Sequence, residues 1–391
     1  MKQAIHPFPA RMAPEVALEA LKQVDVNGVV LDPMCGAGTV LLKAIESGRT
    51  AIGYDPDPLA VLMSTVLTRE ADVSFVKSQV AELIRLASMM SDQDAYLPWI
   101  DDDEETREFI GLWFEEKQRN QLRKIAFLVA QTRGDMRDLL SLALSKTIIT
   151  KKRGASLAWD VAHSRPHKMK VLNDYDVLKG FEDAANRIAR LLGSSSTQGT
   201  ASVRLGDARS LSDLDSEAVD AIVTSPPYLN GIDYIRGHKF SLVWLGYRLR
   251  ELRNIRSTNI GAERGLPIGE ETAASLLMIE RGSLGDLPRR MLRIMLRYVE
   301  DMAKVLAECH RVLRDVGRIV LVVGDSRIQG VPVSNSSMVT AVANLVGLRE
   351  EARYERPILS SRRYLPPPDR ESHIKLSRRM RIETILTLRK S

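Results

Sequence analysis

Cysteines and long apolar runs are scarce in this chain. Its 391 residues include two cysteines, Cys35 and Cys309, which excludes a disulfide framework and is typical of proteins in a reducing compartment. No stretch has the uncharged apolar length that a membrane span needs. The first residues lack the apolar core of a secretory signal. We therefore expect a cytoplasmic, soluble protein without a membrane partner.

Basic residues are in moderate excess. The chain has 56 Lys and Arg against 50 Asp and Glu, a formal net charge of +6, which by itself is a weak indication of a polyanionic partner. Arginines concentrate in two segments, 248–264 and 353–381. Each segment could be a solvated face or a surface that contacts nucleic-acid phosphates, and the sequence leaves both interpretations open.

Short apolar runs alternate with helical patterns along much of the chain. This alternation predicts an α/β fold with a mostly parallel sheet that is covered on both faces. The last strand follows a basic, Pro-rich stretch and is expected to enter the sheet edge antiparallel. The strands are predicted at residues 29–31, 50–54, 202–205, 218–223, 318–323 and 382–388.

Two segments interrupt this alternation. Residues 74–199 have a mainly helical pattern and end in a polar linker, and residues 229–287 are rich in Gly and Arg. We interpret both as insertions into one discontinuous domain, formed by residues 1–73 and 200–391. We expect that domain to keep its ligand-binding core when most of the first insertion is deleted.

A glycine-containing loop follows the first predicted strand. It reads Asp-Pro-Met-Cys-Gly-Ala-Gly-Thr over residues 32–39. Its glycines allow a tight turn close to a ligand, and the following helix start offers free amides to an anion. A dinucleotide-binding loop is disfavoured because Asp32 would repel a pyrophosphate. A carboxylate there suits a cationic group such as the ammonium of a methionine moiety, whose carboxylate Thr39 and the helix start could bind.

Acidic residues also follow the next two predicted strands. Asp55 is placed to accept hydrogen bonds from ribose hydroxyls, and Asp207 could accept one from an adenine amino group. A single acidic residue after a strand is more often a cap or turn residue. Three at successive strand ends favour a ligand site, because such sheets bind ligands at the carboxyl ends of their strands.

Ser225, Pro226, Pro227 and Tyr228 follow the fourth predicted strand. The prolines fix the backbone and remove two amide donors. The Ser225 hydroxyl and the Pro226 carbonyl could then hold both hydrogens of a base amino group and favour the pyramidal nitrogen that attacks a methyl group. Tyr228 would stack on a base flipped out of the duplex, an interaction of about 1–3 kcal/mol. The alternative is a Pro-Pro turn that only closes the strand.

These motifs resemble those of the DNA amino-methyltransferases, the N4-cytosine and N6-adenine family. Residues 32–39 resemble its cofactor motif D-P-F-C-G-S-G-T, with small departures at Met34 and Ala37. Residues 224–228 resemble its catalytic motif in the S-P-P-Y form that is usual for cytosine-N4 enzymes. Residues 6–11 resemble the segment that precedes the cofactor motif and closes over the methionine end. The matches lie at both ends of the catalytic domain and cover about half the chain.

The resemblance implies a Rossmann-like methyltransferase fold and S-adenosylmethionine as cofactor. It assigns catalysis to residues 225–228. We expect no metal to take part, because no third ligand cluster accompanies His163 and His167 and because Pro166 between them argues against a helix there. The residues assigned to cofactor binding are Phe8, Pro9, Arg11, Asp32, Pro33, Cys35, Gly36, Gly38, Thr39, Asp55, Asp207 and Thr224.

For the substrate, the resemblance implies double-stranded DNA, with N4 of cytosine favoured over N6 of adenine because a serine precedes the two prolines. Residues 74–199 lie where some family members carry target-recognition sequence, and a cognate restriction enzyme is a conceivable partner. An RNA or tRNA amino-methyltransferase and a non-catalytic nucleic-acid-binding module are alternatives.

Overall fold

The computed structural model describes most of the chain: residues 5–7, 12–151, 153–159, 161, 167–168, 172–194, 197–229, 233–261, 289–328, 331–358 and 382–391. The helices are α1 (Pro14–Leu21), α2 (Thr39–Glu46), α3 (Pro58–Leu67), α4 (Val73–Met89), α5 (Pro98–Asp101), α6 (Glu104–Trp113), α7 (Glu116–Gln131), α8 (Gly134–Ile148), α9 (Val177–Gly193), α10 (Ile235–Leu242), α11 (Leu249–Thr258), α12 (Arg289–Val312) and α13 (Asn335–Leu345). The strands are β1 (Val29–Asp32), β2 (Thr50–Asp55), β3 (Ala158–Trp159), β4 (His167–Lys168), β5 (Ala201–Leu205), β6 (Val219–Thr224), β7 (Leu313–Val323), β8 (Ser326–Ile328), β9 (Val331–Val333), β10 (Leu348–Pro357) and β11 (Ile382–Lys390).

A seven-stranded sheet has the order β10-β11-β7-β6-β1-β2-β5. The strands from β5 to β7 in this order are parallel, whereas β11 runs antiparallel to both β7 and the outermost strand β10. The chain progresses outwards from β1 in one direction and from β6 in the other, so a topological switch point lies between them. Such points are where doubly wound sheets bind ligands. The expected fold class, a mostly parallel Rossmann-like sheet with an antiparallel strand towards its edge, is confirmed.

Alternate residues of the central strands face two different helical layers, as the period of a β-strand requires. Val30 and Val223 pack on one side with α1 and α2. Leu31 and Ile222 pack on the other side with α12 and α13. The sheet is therefore covered on both faces, and the apolar runs of the sequence predicted these strands well because both faces are buried.

Strand β10 was not predicted. It reads LREEARYERP, and most of its side chains are exposed, so it lacks the apolar run of the central strands. Charged residues on an edge strand oppose pairing with another chain. Two residues of the second arginine-rich segment lie here and form ion pairs, Arg353 with Glu350 at 2.8 Å and Arg356 with Glu383 at 2.9 Å. Residues 359–381 of that segment lie outside the described residues.

The first insertion is mainly helical, as expected, and shares an apolar core with the rest of the protein. Side chains of α4 to α9 pack with Leu59 and Met63 of α3, with Phe240 of α10 and with Trp244, which follows α10. The Phe240 ring lies edge-on to Trp113, with ring centroids 4.9 Å apart. Deleting residues 77–193 would therefore remove most of this apolar core. That the remaining chain keeps a cofactor-binding core stays a prediction. No helix in the described part of the chain is long and apolar enough to cross a membrane.

The buried ring of Phe240 gives a test of this shared core. Phe240→Ala should lower the free energy of unfolding by about 3–5 kcal/mol, because it leaves a cavity between α10 and the insertion. Phe75→Ala removes the same ring from an exposed position of α4 and should change stability by less than about 0.5 kcal/mol. Chemical denaturation of both variants measures the difference. Equal losses would show that α10 and the insertion do not share a core.

Candidate active site

The loop after β1 depends on two glycines. Gly36 and Gly38 have positive φ angles of 50° and 77°, which glycine adopts without steric cost. A Cβ at Gly38 would also lie only 2.9 Å from the Ser64 hydroxyl. The loop is fixed to β2, since the Cys35 amide donates to the Tyr54 carbonyl at 2.9 Å. The loop leads directly into α2, whose first residue is Thr39.

Ser64 of α3 holds this loop from behind. Its hydroxyl donates to the Gly36 carbonyl at 2.7 Å, and the Cys35 thiol donates to the Ser64 hydroxyl oxygen at 3.6 Å. Burial and the nearby carboxylates of Asp55 and Asp32 raise the pKa of Cys35 well above its usual value. The thiol is therefore protonated and packs in the loop. The sequence motifs do not include Ser64, although a serine on the buried face of an otherwise apolar helix is a signal for a hydrogen-bonding role.

Two carboxyl groups lie at the ends of β1 and β2. Asp32 is 3% exposed, and burial raises its pKa to about 7, against the opposing effects of the Thr224 hydroxyl and the Met34 amide. Asp55 accepts hydrogen bonds from the amides of Gly36 and Asp57, both at 2.9 Å. Burial and the Asp57 carboxylate raise its pKa to about 7 as well. A ligand with an ammonium and hydroxyl donors would stabilise both carboxylates, which fits the methionine and ribose parts of S-adenosylmethionine.

The loop after β6 orients the Ser225 hydroxyl. Its proton is donated to the Val322 carbonyl of β7 at 3.2 Å, and its oxygen lies 3.5 Å from the Tyr228 hydroxyl. Because the proton is used internally, the remaining lone pairs of the oxygen can act only as acceptors. Burial raises the pKa of Tyr228 to about 12, so its ring is neutral. The loop thus offers a hydroxyl acceptor beside a neutral aromatic ring.

The structure places most of the predicted site residues around the ends of three adjacent strands. Strands β2, β1 and β6 are neighbours in register, with Leu31 opposite both Ile52 and Ile222. This brings the loops after these strands to one edge of the sheet. The predicted residues at this edge are Asp32, Pro33, Cys35, Gly36, Gly38, Thr39, Asp55, Thr224, Ser225, Pro226, Pro227 and Tyr228. Phe8, Pro9, Arg11 and His163 lie outside the described residues.

The chain is similar in sequence to Type II methyltransferases. No family model matches the chain. The Type II methyltransferase M.AvaI of Nostoc sp. is 24% identical, and the match covers 82% of this chain and 73% of that protein. The Type II methyltransferase M.MjaII of Methanocaldococcus jannaschii is 20% identical, with coverage of 91% and 76%. The resemblance to the DNA amino-methyltransferases is thereby confirmed. These methyltransferase relatives also bear out S-adenosylmethionine as the expected cofactor.

Among solved structures, a SAM-dependent methyltransferase from Methanosarcina mazei is 8% identical, with coverage of 97% of this chain and 99% of that chain and a TM-score of 0.36.

The start of the segment at residues 6–11 is held by helix α8. The buried His6 ring lies with Nε2 2.9 Å from the hydroxyl of Ser145, a residue of α8. The neighbouring Lys146 donates to the Ile5 carbonyl. Helix α8 therefore fixes the chain two residues before Phe8, where the family's segment is expected to close over the cofactor.

A buried pair ties α10 to the turn after β2. Asp57 caps α3 by accepting the Leu59 amide at 2.9 Å, and its other oxygen lies 2.5 Å from Nδ1 of His238. Both side chains are less than one-tenth exposed. Because His238 belongs to the second insertion, this pair joins that insertion to the edge where the cofactor residues lie.

Asp207, predicted to contact adenine, already has a partner within the protein. Its carboxylate accepts from Nε and Nη2 of Arg209, the latter at 2.6 Å. Arg209 also binds Asp301 of α12 at 2.6 Å and the Thr258 carbonyl at the end of α11. Asp301 in turn accepts the Gly261 amide at 2.9 Å. The adenine role of Asp207 stays a prediction, and Arg209 is a partner of Asp207 that the motifs do not contain.

The pH dependence of cofactor binding tests the role of Asp32. Only an ionised Asp32 can pair with an ammonium, and its pKa in the free protein is about 7. Cofactor affinity should therefore increase as the pH rises from about 6 to about 7, by up to roughly tenfold per pH unit. Asp32→Asn should bind weakly and lose most of this increase, whereas Asp25→Asn, at an exposed position, should keep it. Calorimetry would contradict the assignment if Asp32→Asn showed the wild-type pH profile.

The Arg209 network can be tested through stability. Arg209→Met leaves the buried Asp301 carboxylate without its cation and should cost about 2–3 kcal/mol of unfolding free energy. Adding Asp301→Asn removes that charge, so the double variant should be less destabilised than the two single variants summed. Arg204→Met breaks an exposed pair with Asp213 and should cost at most about 1 kcal/mol. Strict additivity of Arg209→Met and Asp301→Asn would rule out the coupling.

Proposed function

We propose that the chain is a site-specific DNA methyltransferase that transfers a methyl group from S-adenosylmethionine to the exocyclic amino group of a base, with N4 of cytosine as the target. The observation that carries this proposal is the orientation of the Ser225 hydroxyl. The hydroxyl donates to the Val322 carbonyl, which leaves its oxygen as an acceptor. Ser225 directly follows β6, the strand next to the one that ends in Asp32. An acceptor for an amino group thus lies beside the residues that fit the methyl donor.

The nitrogen of a base amino group is a poor nucleophile and has to be activated. The lone pair of a base amino group is delocalised into the ring. When the two hydrogens are held by the Ser225 oxygen and the Pro226 carbonyl, the nitrogen becomes pyramidal and its lone pair is localised. S-adenosylmethionine supplies the methyl group when bound. The nitrogen would form the new carbon–nitrogen bond as the methyl carbon–sulfur bond breaks, with the electron pair of that bond left on the sulfur. The methylated nitrogen would then lose one proton to solvent, while the neutral ring of Tyr228 holds the flipped base by stacking.

The choice of cytosine over adenine rests on Ser225. The resemblance associates serine at this position with cytosine-N4 enzymes and an acidic or amide residue with adenine-N6 enzymes. A hydroxyl is a weaker acceptor than a carboxylate, so stacking and geometry would contribute more of the activation. N6-adenine methylation is the second candidate, because both bases present an amino group beside a ring nitrogen.

The nature of the substrate is supported by the relatives, which are Type II methyltransferases. We therefore favour DNA over RNA, and catalysis over a purely nucleic-acid-binding role, because Asp32, Asp55 and residues 225–228 are all present. A DNA substrate would place the enzyme in the cytoplasm. The proposal extends to a cognate restriction enzyme as functional partner and to target recognition by residues 74–199 within the larger catalytic domain.

Nucleoside mass spectrometry of DNA treated with the protein and S-adenosylmethionine tests this function. We expect N4-methylcytosine. Ser225→Ala should lose most of the turnover but keep cofactor affinity, because the hydroxyl orients only the target. Ser78→Ala, at an exposed position on α4, should keep both.

Each other product has a definite meaning. N6-methyladenine alone would overturn the cytosine assignment and keep the mechanism. Methylation of RNA without DNA would overturn the substrate class. Cofactor binding without transfer to either nucleic acid would overturn the enzymatic role.

A further inference from the structure

Helices α10 and α11 present an excess of positive charge. Asp233 accepts ion pairs from two guanidinium groups, at 3.4 Å from Arg236 and 2.5 Å from Arg256. Glu105 of α6 pairs with Arg253 through its second oxygen at 2.7 Å. The cationic cluster consists of Arg236, Lys239, Arg253 and Arg256. Within the part of the chain that the structure describes, these four cations thus share two carboxylates.

Lys239 is the least compensated member of the cationic cluster. Its ammonium lies half-buried, 5.1 Å from the centroid of the Phe109 ring. Burial lowers its pKa, and so do the neighbouring Arg256 and Arg236, while the Asp233 carboxylate acts in the opposite direction. No described carboxylate lies within 4 Å of the ammonium. An anion bound near Lys239 would reduce the repulsion between its ammonium and the guanidinium groups of Arg236 and Arg256.

The cationic cluster lies at the same edge of the sheet as the candidate active site. His238, the residue before Lys239, pairs with Asp57 in the turn after β2. The end of α11 is held by Arg209 through the Thr258 carbonyl. Five residue steps separate Tyr228 from Asp233, so the two are at most about 18 Å apart. That reach corresponds to about five stacked nucleotides of one strand.

We propose that the cationic cluster binds a phosphodiester group of the target DNA strand within about five nucleotides of the base held by Ser225 and Tyr228, with Lys239 as the direct contact. The inference rests on the proposed DNA substrate. A phosphate suits this surface because the guanidinium groups of Arg236 and Arg256 present forked donors. Both guanidinium groups pair with the single carboxylate of Asp233, which cannot neutralise two cations.

The salt dependence of DNA binding tests the contact. Lys239→Met keeps the length of the side chain over Phe109 and removes the charge. In titrations of a fluorescent mixed-sequence duplex, it should weaken affinity about three- to tenfold and reduce the slope of log K against log salt by about one. Lys239→Arg should keep most of the slope. Cofactor affinity should stay at the wild-type value in both variants.

Lys43→Met is the matched control. Lys43 is also largely buried, with a side chain 22% exposed, and pairs with Glu46 in the last turn of α2, away from the carboxyl edge. It should keep the wild-type slope. An unchanged slope in Lys239→Met, or an equal change in Lys43→Met, overturns the phosphate site. If Lys239→Met fails to fold, Arg236→Gln at a more exposed position replaces it, with the same expected loss of slope.

A parallel titration with duplex RNA separates this proposal from the proposed function. If the wild type binds and methylates DNA but the slope is unaffected by Lys239→Met, only the phosphate site fails. If the wild type acts on RNA alone, the DNA substrate fails and the slope on RNA decides the phosphate contact. Absence of binding to both overturns both.

Discussion

Buried carboxyl groups at the ends of β1 and β2 constrain the structure around them. The pKa values of Asp32 and Asp55 are raised to about 7, above the value of about 3.9 expected in the unfolded chain. The folded protein therefore holds more protons than the unfolded one in this range, and stability falls as the pH rises from about 4 to about 7. The amides of Met34, Gly36 and Asp57 donate to these carboxyl groups and offset part of this loss of stability. A ligand that brings an ammonium and hydroxyl donors offsets more of it, so the free site is electrostatically incomplete.

Residues 74–199 and 229–287, which the sequence predicts as insertions, both contact residues near this edge. His238 of the second insertion pairs with Asp57, directly beside the acidic groups. Ser145 of the first insertion holds His6, and the apolar core of the first insertion continues into α3 and α10. Residues in these two predicted insertions therefore contact residues at the edge where the cofactor is expected to bind. If residues 74–199 recognise the target, these contacts would couple that recognition to the same edge.

The sequence predicted the features that are local and missed those that are not. Apolar runs marked the central strands because both faces of these strands are buried, whereas β10 is a charged edge strand and has no such run. Glycines and acidic residues at strand ends marked the loops. The pair of Asp57 and His238 joins positions 181 residues apart, and no periodicity encodes such a partnership. The bond from Ser64 to the Gly36 carbonyl and the bond from Arg209 to Asp301, 28 and 92 residues apart in the chain, were missed for the same reason.

The two prolines of the catalytic motif act on the sheet as well as on the loop. Parallel pairing of β6 with β7 ends at Thr224 opposite Leu321, and a proline two positions further on cannot donate to the ladder. The Val322 carbonyl is thus available as an acceptor, and the Ser225 hydroxyl donates to it at 3.2 Å. Because this bond uses the only proton of the hydroxyl, its oxygen is left as an acceptor. The motif therefore leaves the Ser225 oxygen as an acceptor because the ladder between β6 and β7 ends there. In a variant with another residue at position 226, the new backbone amide would compete with the Ser225 hydroxyl for the Val322 carbonyl.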